Sequence, residues 1–175
     1  ATLAYALLGG ADFAGGVWDF FAFGEVYDAN PAYLSTFSTA GRLDATLDFG
    51  FQDAGTGFAK GGATTRLRDF FAADDWYTDA DSNAYQLPTF LGNHDMGHIG
   101  MFLRDDNPGA LEPELLKRDV LAHELMYFSR GNPVVYFGDE QGFTGAGNDQ
   151  AARQDMFASQ DSEYNNIDDD GIDPN

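Results

Sequence analysis

Three short apolar runs share one layout, and this repeated layout constrains the fold more than any other feature of the sequence. The runs cover residues 19–24, 87–93 and 132–138, and an acidic or histidine–acidic group follows each of them directly. A fourth run, residues 43–49, is more polar. Short apolar runs bounded by Gly or Pro are typical of buried strands in parallel sheets. The sequence therefore predicts strands whose carboxyl ends carry acidic side chains.

Helical segments lie between these runs. Asn30 and Pro31 predict a capped helix that stops at Gly41, a shorter helix is expected over 64–73, and the clearest helix runs from Glu112 to about Arg130. Strands that alternate with helices are typical of a β/α barrel or a doubly wound sheet. A full eight-stranded barrel needs roughly 250 residues, so four units amount to half of one.

The charge of the chain excludes some partners. There are 29 acidic and 9 basic side chains, which give a net charge of −20. A field of this sign repels phosphate backbones and anionic lipid, so we expect no nucleic-acid partner and no membrane partner. No apolar run approaches the roughly 20 residues of a bilayer span. The chain has no cysteine, which removes disulfides and thiolate sites.

Glu25 is the first candidate for chemistry. It follows an aromatic-rich strand in the sequence Phe23-Gly24-Glu25-Val26-Tyr27. A carboxyl group beside apolar rings has its charged form disfavoured, which suits a general acid. A structural role stays open at this point, because a Glu here could also cap the next helix or pair with an Arg.

His94 and Asp95 form the second candidate group. They follow another predicted strand and should face the same mouth as Glu25. An imidazole beside a carboxylate suits hydrogen bonding to neighbouring hydroxyls, such as those of a sugar. The alternative is a strand-to-helix turn with Asp95 as the cap, but the cluster Gly92-Asn93-His94-Asp95 favours a functional role.

Taken together, these residues resemble the alpha-amylase family of glycoside hydrolases, family 13. Residues 23–27 are similar to its fifth-strand motif, 90–95 to its seventh-strand motif, and 131–140 to its eighth-strand motif. The run LDATLDFGFQ fits the sixth strand in order. The resemblance implies an α/β fold, a partial (β/α)8 TIM barrel that holds strands five to eight with their helices. Residues 1–175 would form one partial catalytic domain, with 158–175 as a polar loop or tail.

The resemblance also implies roles for individual residues. Glu25 would be the acid/base, and Asp95 would stabilise the transition state. His94, Tyr27 and Arg153 would bind an alpha-glucan or oligosaccharide substrate, although Arg153 could equally form an ordinary surface ion pair. Localisation stays open, and a secreted or periplasmic full-length enzyme is compatible with the sequence. Calcium binding by the full-length enzyme also stays open.

A zinc site is not expected. His94 and His98 have a zinc-binding spacing only if they lie on one helix, and Gly97 argues against a helix there.

One part of the family pattern is missing. The family's nucleophilic Asp lies on the fourth strand, before the Glu, and residues 1–19 contain no such motif. Residues 41–45 copy its Arg-x-Asp-Ala core but follow Glu25, so we assign them to strand six. We therefore expect a fragment of a retaining glycosidase that is inactive alone and self-associates through open sheet edges. A noncatalytic carbohydrate-binding or assembly module derived from a barrel is the alternative.

Overall fold

The computed structural model describes residues 21–41, 43–147 and 150–156. Within these ranges four short strands form two parallel two-stranded sheets. In the first sheet Phe23 is paired with Ala45, and in the second Pro88 is paired with Asn132. The strands are β1 (Phe23–Gly24), β2 (Ala45–Thr46), β3 (Pro88–Phe90) and β4 (Asn132–Val134).

The described sheets are smaller than the four-stranded arc that the sequence predicts. Each predicted run contributes only two or three residues to a strand. Pro88 and Pro133 have no backbone N–H to donate to a ladder, which limits pairing along β3 and β4. A hydrogen bond links the segments that carry the two sheets, since the Asp48 N–H donates to the Pro88 carbonyl at 2.9 Å. Asp19 and the predicted tail at 158–175 lie outside the described residues.

The helices expected over 64–73 and from Glu112 are confirmed, whereas the one expected from Asn30 to Gly41 is divided at Ser35 into two four-residue helices. The Asn30 side chain accepts a hydrogen bond from the Ala32 N–H at 3.1 Å, as expected of a cap. The longest helix begins at Glu112 with acidic residues in its first turn, and it ends at Phe128, two residues before the predicted end. The helices are α1 (Pro31–Leu34), α2 (Thr36–Thr39), α3 (Phe49–Ala59), α4 (Thr65–Phe71), α5 (Ile99–Asp106) and α6 (Glu112–Phe128). Short 3-10 helices cover Asp74–Tyr77, Ala84–Gln86 and Asp139–Gln141.

Helix α3 was not predicted, because it begins inside the run that reads as the sixth strand. Asp48 ends the extended segment and caps the helix, since its carboxylate accepts the Phe51 N–H at 2.9 Å. Three glycines, whose helix propensity is low, obscure the helical pattern in the sequence FGFQDAGTGFA. The glycines also allow close packing: a Cβ on Gly55 would lie 3.3 Å from the Phe51 ring.

Two apolar clusters form the core, and the β3 segment contributes to both of them. The larger cluster lies among α3, α5 and α6 and includes Leu91, while the smaller one includes Leu87. Both leucines are 1% exposed. Packing therefore fixes the chain on either side of β3, and it also fixes the start of the loop that follows β3.

A buried ion-pair cluster ties the chain after α6 to the start of α3. Arg130 pairs with Asp48 and, at 2.7 Å, with Asp74, while its guanidinium lies 4.6 Å from the centre of the Phe70 ring. Burial raises the pKa of the Asp48 carboxyl, and the neighbouring Arg130 charge opposes that shift. The arrangement satisfies a carboxylate that would otherwise be buried without a partner.

Large apolar side chains remain exposed beside both sheets. They include Phe23 at 50%, Val134 at 46% and Phe137 at 42%. In the described part of the chain, no helix combines the length and the apolar character needed to cross a bilayer.

Candidate active site

Glu25 lies directly after β1, at its carboxyl end, and its side chain is exposed. Its neighbours Gly24 and Val26 are buried, so the alternation of an extended chain turns Glu25 away from the core. The enclosed apolar surroundings that the sequence predicts are therefore not found among the described residues. Neither structural alternative is found there: Asn30 caps α1, and no ion pair joins Glu25 to another described residue.

Tyr27 reaches a cavity where two of the predicted motifs meet. Its ring packs edge-on against Phe49, with centroids 5.0 Å apart, and Phe49 packs in the same way against Phe90 at 5.1 Å. A cavity of about 250 Å³ lies beside this aromatic row. Its lining includes residues after β1 and one residue from the loop after β3: Tyr27, Asp28, Ala29, Phe49, Gln52, Asp53 and Met96.

His94 and Asp95 form the tip of a tight loop, residues 93–97. The Gly97 N–H donates to the Asn93 carbonyl at 2.8 Å, and the Asn93 N–H donates to the Gly97 carbonyl at 3.2 Å. The Asn93 side chain also accepts from the backbone N–H groups of Asp95 and Met96. The His94 Nε2 lies 3.3 Å from the Asp95 Oδ1, and both side chains are partly exposed. Asn93 therefore shapes the turn, and Asp95 is not its cap.

A second chain segment fixes the base of this loop. Gly97 has a φ of +103°, a conformation that favours glycine. A Cβ there would lie 2.7 Å from the Gly147 nitrogen and 3.0 Å from the Gly145 carbonyl oxygen. Gly97 also forms an antiparallel bridge with Ala146. The loop after β3 is thus held against the chain that follows β4.

His98 is a residue for which sequence reasoning found no role. Its ring is fully buried, with Nδ1 2.7 Å from the Asp139 Oδ1 and Nε2 3.1 Å from the Ala152 carbonyl oxygen. Burial raises the pKa of the Asp139 carboxyl, and the hydrogen bond to His98 opposes the shift. The sequence held a partial signal for this contact, because Asp139 directly follows the run at 132–138 just as His94 follows the run at 87–93.

Arg153 has an exposed side chain. The next residue, Gln154, is buried, and its Oε1 accepts the Gly145 N–H at 2.7 Å. The 150–156 segment is thereby attached to the chain after β4. Of the predicted site residues, Tyr27 is the one found among the described lining of the 250 Å³ cavity; Glu25, His94, Asp95 and Arg153 are not.

A larger cavity, of about 680 Å³, lies between α6 and the chain after β4, away from the predicted site residues. Here the Nδ1 of His123 lies 3.0 Å from an Asp119 carboxylate oxygen. Burial acts to lower the pKa of His123, but the hydrogen bond and charge of Asp119 outweigh it, so the pKa is raised. In the described ranges, no three His, Asp or Glu side chains are grouped so that they could hold a metal ion.

Comparison with known proteins identifies relatives of the chain. The family model for the alpha-amylase catalytic domain matches residues 11–174. An alpha-amylase of Streptomyces lividans is 55% identical over 170 residues, which cover 97% of this chain and 18% of that protein. A beta/alpha-amylase of Paenibacillus polymyxa is 34% identical over 142 residues, covering 78% of this chain and 11% of that protein. The chain thus spans less than a fifth of either relative.

Solved structures share the fold. The alpha-amylase of Geobacillus thermoleovorans, complexed with acarbose, has a TM-score of 0.66 at 24% identity, over 85% of this chain and 32% of that chain. The alpha-amylase of Malbranchea cinnamomea has a TM-score of 0.58 at 27% identity, over 77% and 25% respectively. With the family model and the close Streptomyces relative, these matches lead to one conclusion: the chain belongs to the alpha-amylase family of glycoside hydrolases and matches its catalytic domain, a TIM-barrel fold.

Proposed function

We propose that this chain contributes strands five to eight, with their helices, to the barrel of a retaining glycosidase that acts on alpha-glucans. The observation that carries this proposal is the cavity between Tyr27 and Met96, because it joins the chain that follows Glu25 to the loop that carries His94 and Asp95. Both segments leave the carboxyl ends of strands, where barrel enzymes place their catalytic groups.

Glu25 would act as the general acid and base. In the first step it protonates the leaving glycosidic oxygen, and in the second it removes a proton from the incoming water or acceptor. Its exposed position after β1, without an ion pair to another described residue, supports this role, since the carboxyl group remains available to a substrate.

Asp95 and His94 would bind the sugar ring in the cleaved position. The Asp95 carboxylate accepts hydrogen bonds from ring hydroxyls, and His94 adds one that strengthens as the ring distorts toward the transition state. The tight loop that Asn93 closes supports this role, because it presents both side chains together and partly exposed. Tyr27 and Arg153 are proposed to contact the substrate further from the cleaved bond.

Membership of the family supports a proposal for the substrate class. The Geobacillus thermoleovorans alpha-amylase that shares this fold is complexed with acarbose. We propose an alpha-glucan or an oligosaccharide derived from it as the substrate of the protein to which this segment contributes.

Asp44 is a poor candidate for the attacking carboxylate. It precedes β2, and its Oδ2 accepts the Ala22 N–H at 2.6 Å, at the end of the sheet opposite Glu25. Retaining hydrolysis needs two carboxyl groups about 5–5.5 Å apart across the cleaved bond. Because residues 1–19 also contain no fourth-strand motif, we propose that the nucleophile lies outside the 175 residues.

A chimera tests this function. In it, the chain replaces the matching 170 residues of the Streptomyces lividans alpha-amylase. We expect the chimera to hydrolyse maltooligosaccharides and the isolated chain to show no turnover, because only the chimera holds both carboxylates. The release of reducing sugar measures the hydrolytic activity of both proteins, with the unmodified Streptomyces enzyme as the reference.

Two results would contradict the proposal. The first is turnover by the isolated chain that is lost in Glu25→Gln, since the chain would then carry its own nucleophile. The second is glucan binding by the isolated chain that neither Glu25→Ala nor Asp95→Ala alters, which would favour the noncatalytic module.

Self-association of the isolated chain is a further expectation. In the described sheets β1 pairs only with β2 and β4 only with β3, so the outer edges of β1 and β4 have no partner strand among the described residues. Exposed Phe23, Val134 and Phe137 lie next to these edges. Light scattering coupled to size exclusion should show species larger than the monomer's 19.0 kDa. A sharp monomer with a cooperative thermal transition would contradict this expectation.

A further inference from the structure

The loop that carries His94 and Asp95 is exposed at its tip, so its orientation depends on what holds its base. Immediately after the loop, the His98 N–H donates to the Gly145 carbonyl at 3.1 Å. The preceding residue, Gly97, bridges to Ala146. The two residues at the base therefore pair with the chain after β4, and the position of His98 determines where the loop ends.

The His98 side chain is locked by hydrogen bonds on both sides of its ring. The Ala152 carbonyl oxygen can only accept, so Nε2 must carry a proton and donate it. The 2.7 Å contact between Nδ1 and the Asp139 Oδ1 holds a second proton, on one atom or the other. The pair is consequently neutral overall in either form, which is the arrangement that a fully buried site requires.

Aromatic rings pack around the His98 imidazole. The Tyr136 ring stacks on the imidazole with centroids 4.8 Å apart, and Phe143 packs edge-on at 5.6 Å. The Tyr136 hydroxyl also donates to the Ala152 carbonyl, at 2.8 Å. Three separate parts of the chain thus meet at His98: the end of the loop, the turn after β4, and the 150–156 segment.

Given the function proposed above, we propose that the buried His98–Asp139 pair is the positioning element of the site, which holds the 93–97 loop so that His94 and Asp95 face the substrate. Neither His98 nor Asp139 touches the substrate in this arrangement. Their effect on the reaction passes through the backbone of Gly97 and His98.

Two substitutions of similar size separate the hydrogen bond from packing. In Asp139→Asn, the amide can donate to Nδ1 of a neutral His98 while Nε2 still donates to the Ala152 carbonyl. In Asp139→Leu, the bond to Nδ1 is lost. Met126→Ala serves as the control for general destabilisation, because Met126, on α6, is buried in the larger apolar cluster and is not part of the 93–97 loop.

Hydrogen exchange followed by mass spectrometry on the Streptomyces chimera gives the first readout. In Asp139→Leu we expect exchange of the peptide that covers 93–98 to accelerate about tenfold or more, while α3 peptides change little. Asp139→Asn should stay close to the wild type. Equal acceleration of both peptides, no acceleration, or equal effects of Asn and Leu would overturn the proposal.

Turnover of the Streptomyces chimera gives the second readout. We expect Asp139→Leu to lower kcat roughly 10- to 100-fold through misplacement of the loop, with a smaller change in KM, and Asp139→Asn to restore most of it. If Asp139→Leu accelerates exchange only in the 93–98 peptide but leaves kcat unchanged, the positioning role is overturned. That result would not affect the proposed function, which fails separately if Asp95→Asn and Glu25→Gln chimeras remain fully active.

Discussion

Replacing Glu25 with glutamine is expected to lower kcat/KM for maltooligosaccharides about 10²- to 10⁴-fold in the Streptomyces chimera, because a general acid contributes about that much. Glutamine has nearly the same size as glutamate but cannot donate a proton to the leaving oxygen. Since the Glu25 side chain is exposed and lies outside the core, the substitution should leave folding intact.

The leaving group provides a mechanistic check on this result. A 4-nitrophenyl group departs with little protonation, so the loss in kcat/KM should be much smaller for a nitrophenyl substrate than for an oligosaccharide. Glu124→Gln is the matched control, since Glu124 is an exposed glutamate on α6 away from the candidate site. An equal loss with both substrates, or a similar loss in the Glu124 variant, would contradict the role of Glu25 as an acid.

Replacing Arg130 with methionine is expected to lower the free energy of unfolding by about 3–5 kcal/mol, the range observed when one partner of a buried ion pair is removed. The substitution leaves the Asp48 carboxylate buried beside Asp74 without a cation. Urea unfolding of the Streptomyces chimera measures the change. The matched control is Arg66→Met, which breaks an exposed pair with Asp53 and should cost about 0–1 kcal/mol.

The free energy of unfolding of the Arg130→Met variant should increase as the pH is lowered. Burial already raises the pKa of Asp48, and removal of the Arg130 charge removes an opposing influence. The folded variant therefore binds the Asp48 proton more tightly than the unfolded chain, so its stability should rise as the pH falls toward the unfolded value of about 3.9. A cost in Arg130→Met no larger than in Arg66→Met would show that the cluster is not a major contributor to stability.

The order of the motifs and the main helix could be predicted from the sequence. Helix α6 was found because proline and acidic residues mark its start and Gly131 follows its end. The cap at Asn30 was found for the same kind of reason, since both signals are local. Local signals can be read from a single sequence because they do not depend on tertiary contacts with the rest of the chain.

Features that depend on distant partners could not be predicted in the same way. The helix that starts at Phe49 interrupts a run that has the composition of a strand, and its start is fixed by Asp48 together with packing against the core. The extent of a strand depends on which neighbour supplies hydrogen bonds, which explains the short β3 and β4. The His98–Asp139 contact joins residues that are 41 positions apart.

The candidate site was predicted in part. The sequence placed Glu25 and the His94–Asp95 pair at the ends of strands, but it did not indicate that Asn93 closes the loop or that Gly97 is fixed against the chain after β4. An aspartate next to a turn reads as a cap, and only the backbone geometry shows that the asparagine two residues earlier performs this task.

The most direct measurement is a crystal structure of the chimera with acarbose bound. If two strand ends build one sugar site, the Glu25 carboxyl should lie within hydrogen-bonding distance of the linkage next to the ring that Asp95 and His94 contact. The shared site would be contradicted if the inhibitor contacted only Glu25 or only the His94–Asp95 pair. It would also be contradicted if Glu25 and that pair were separated by more than the length of a glucose ring.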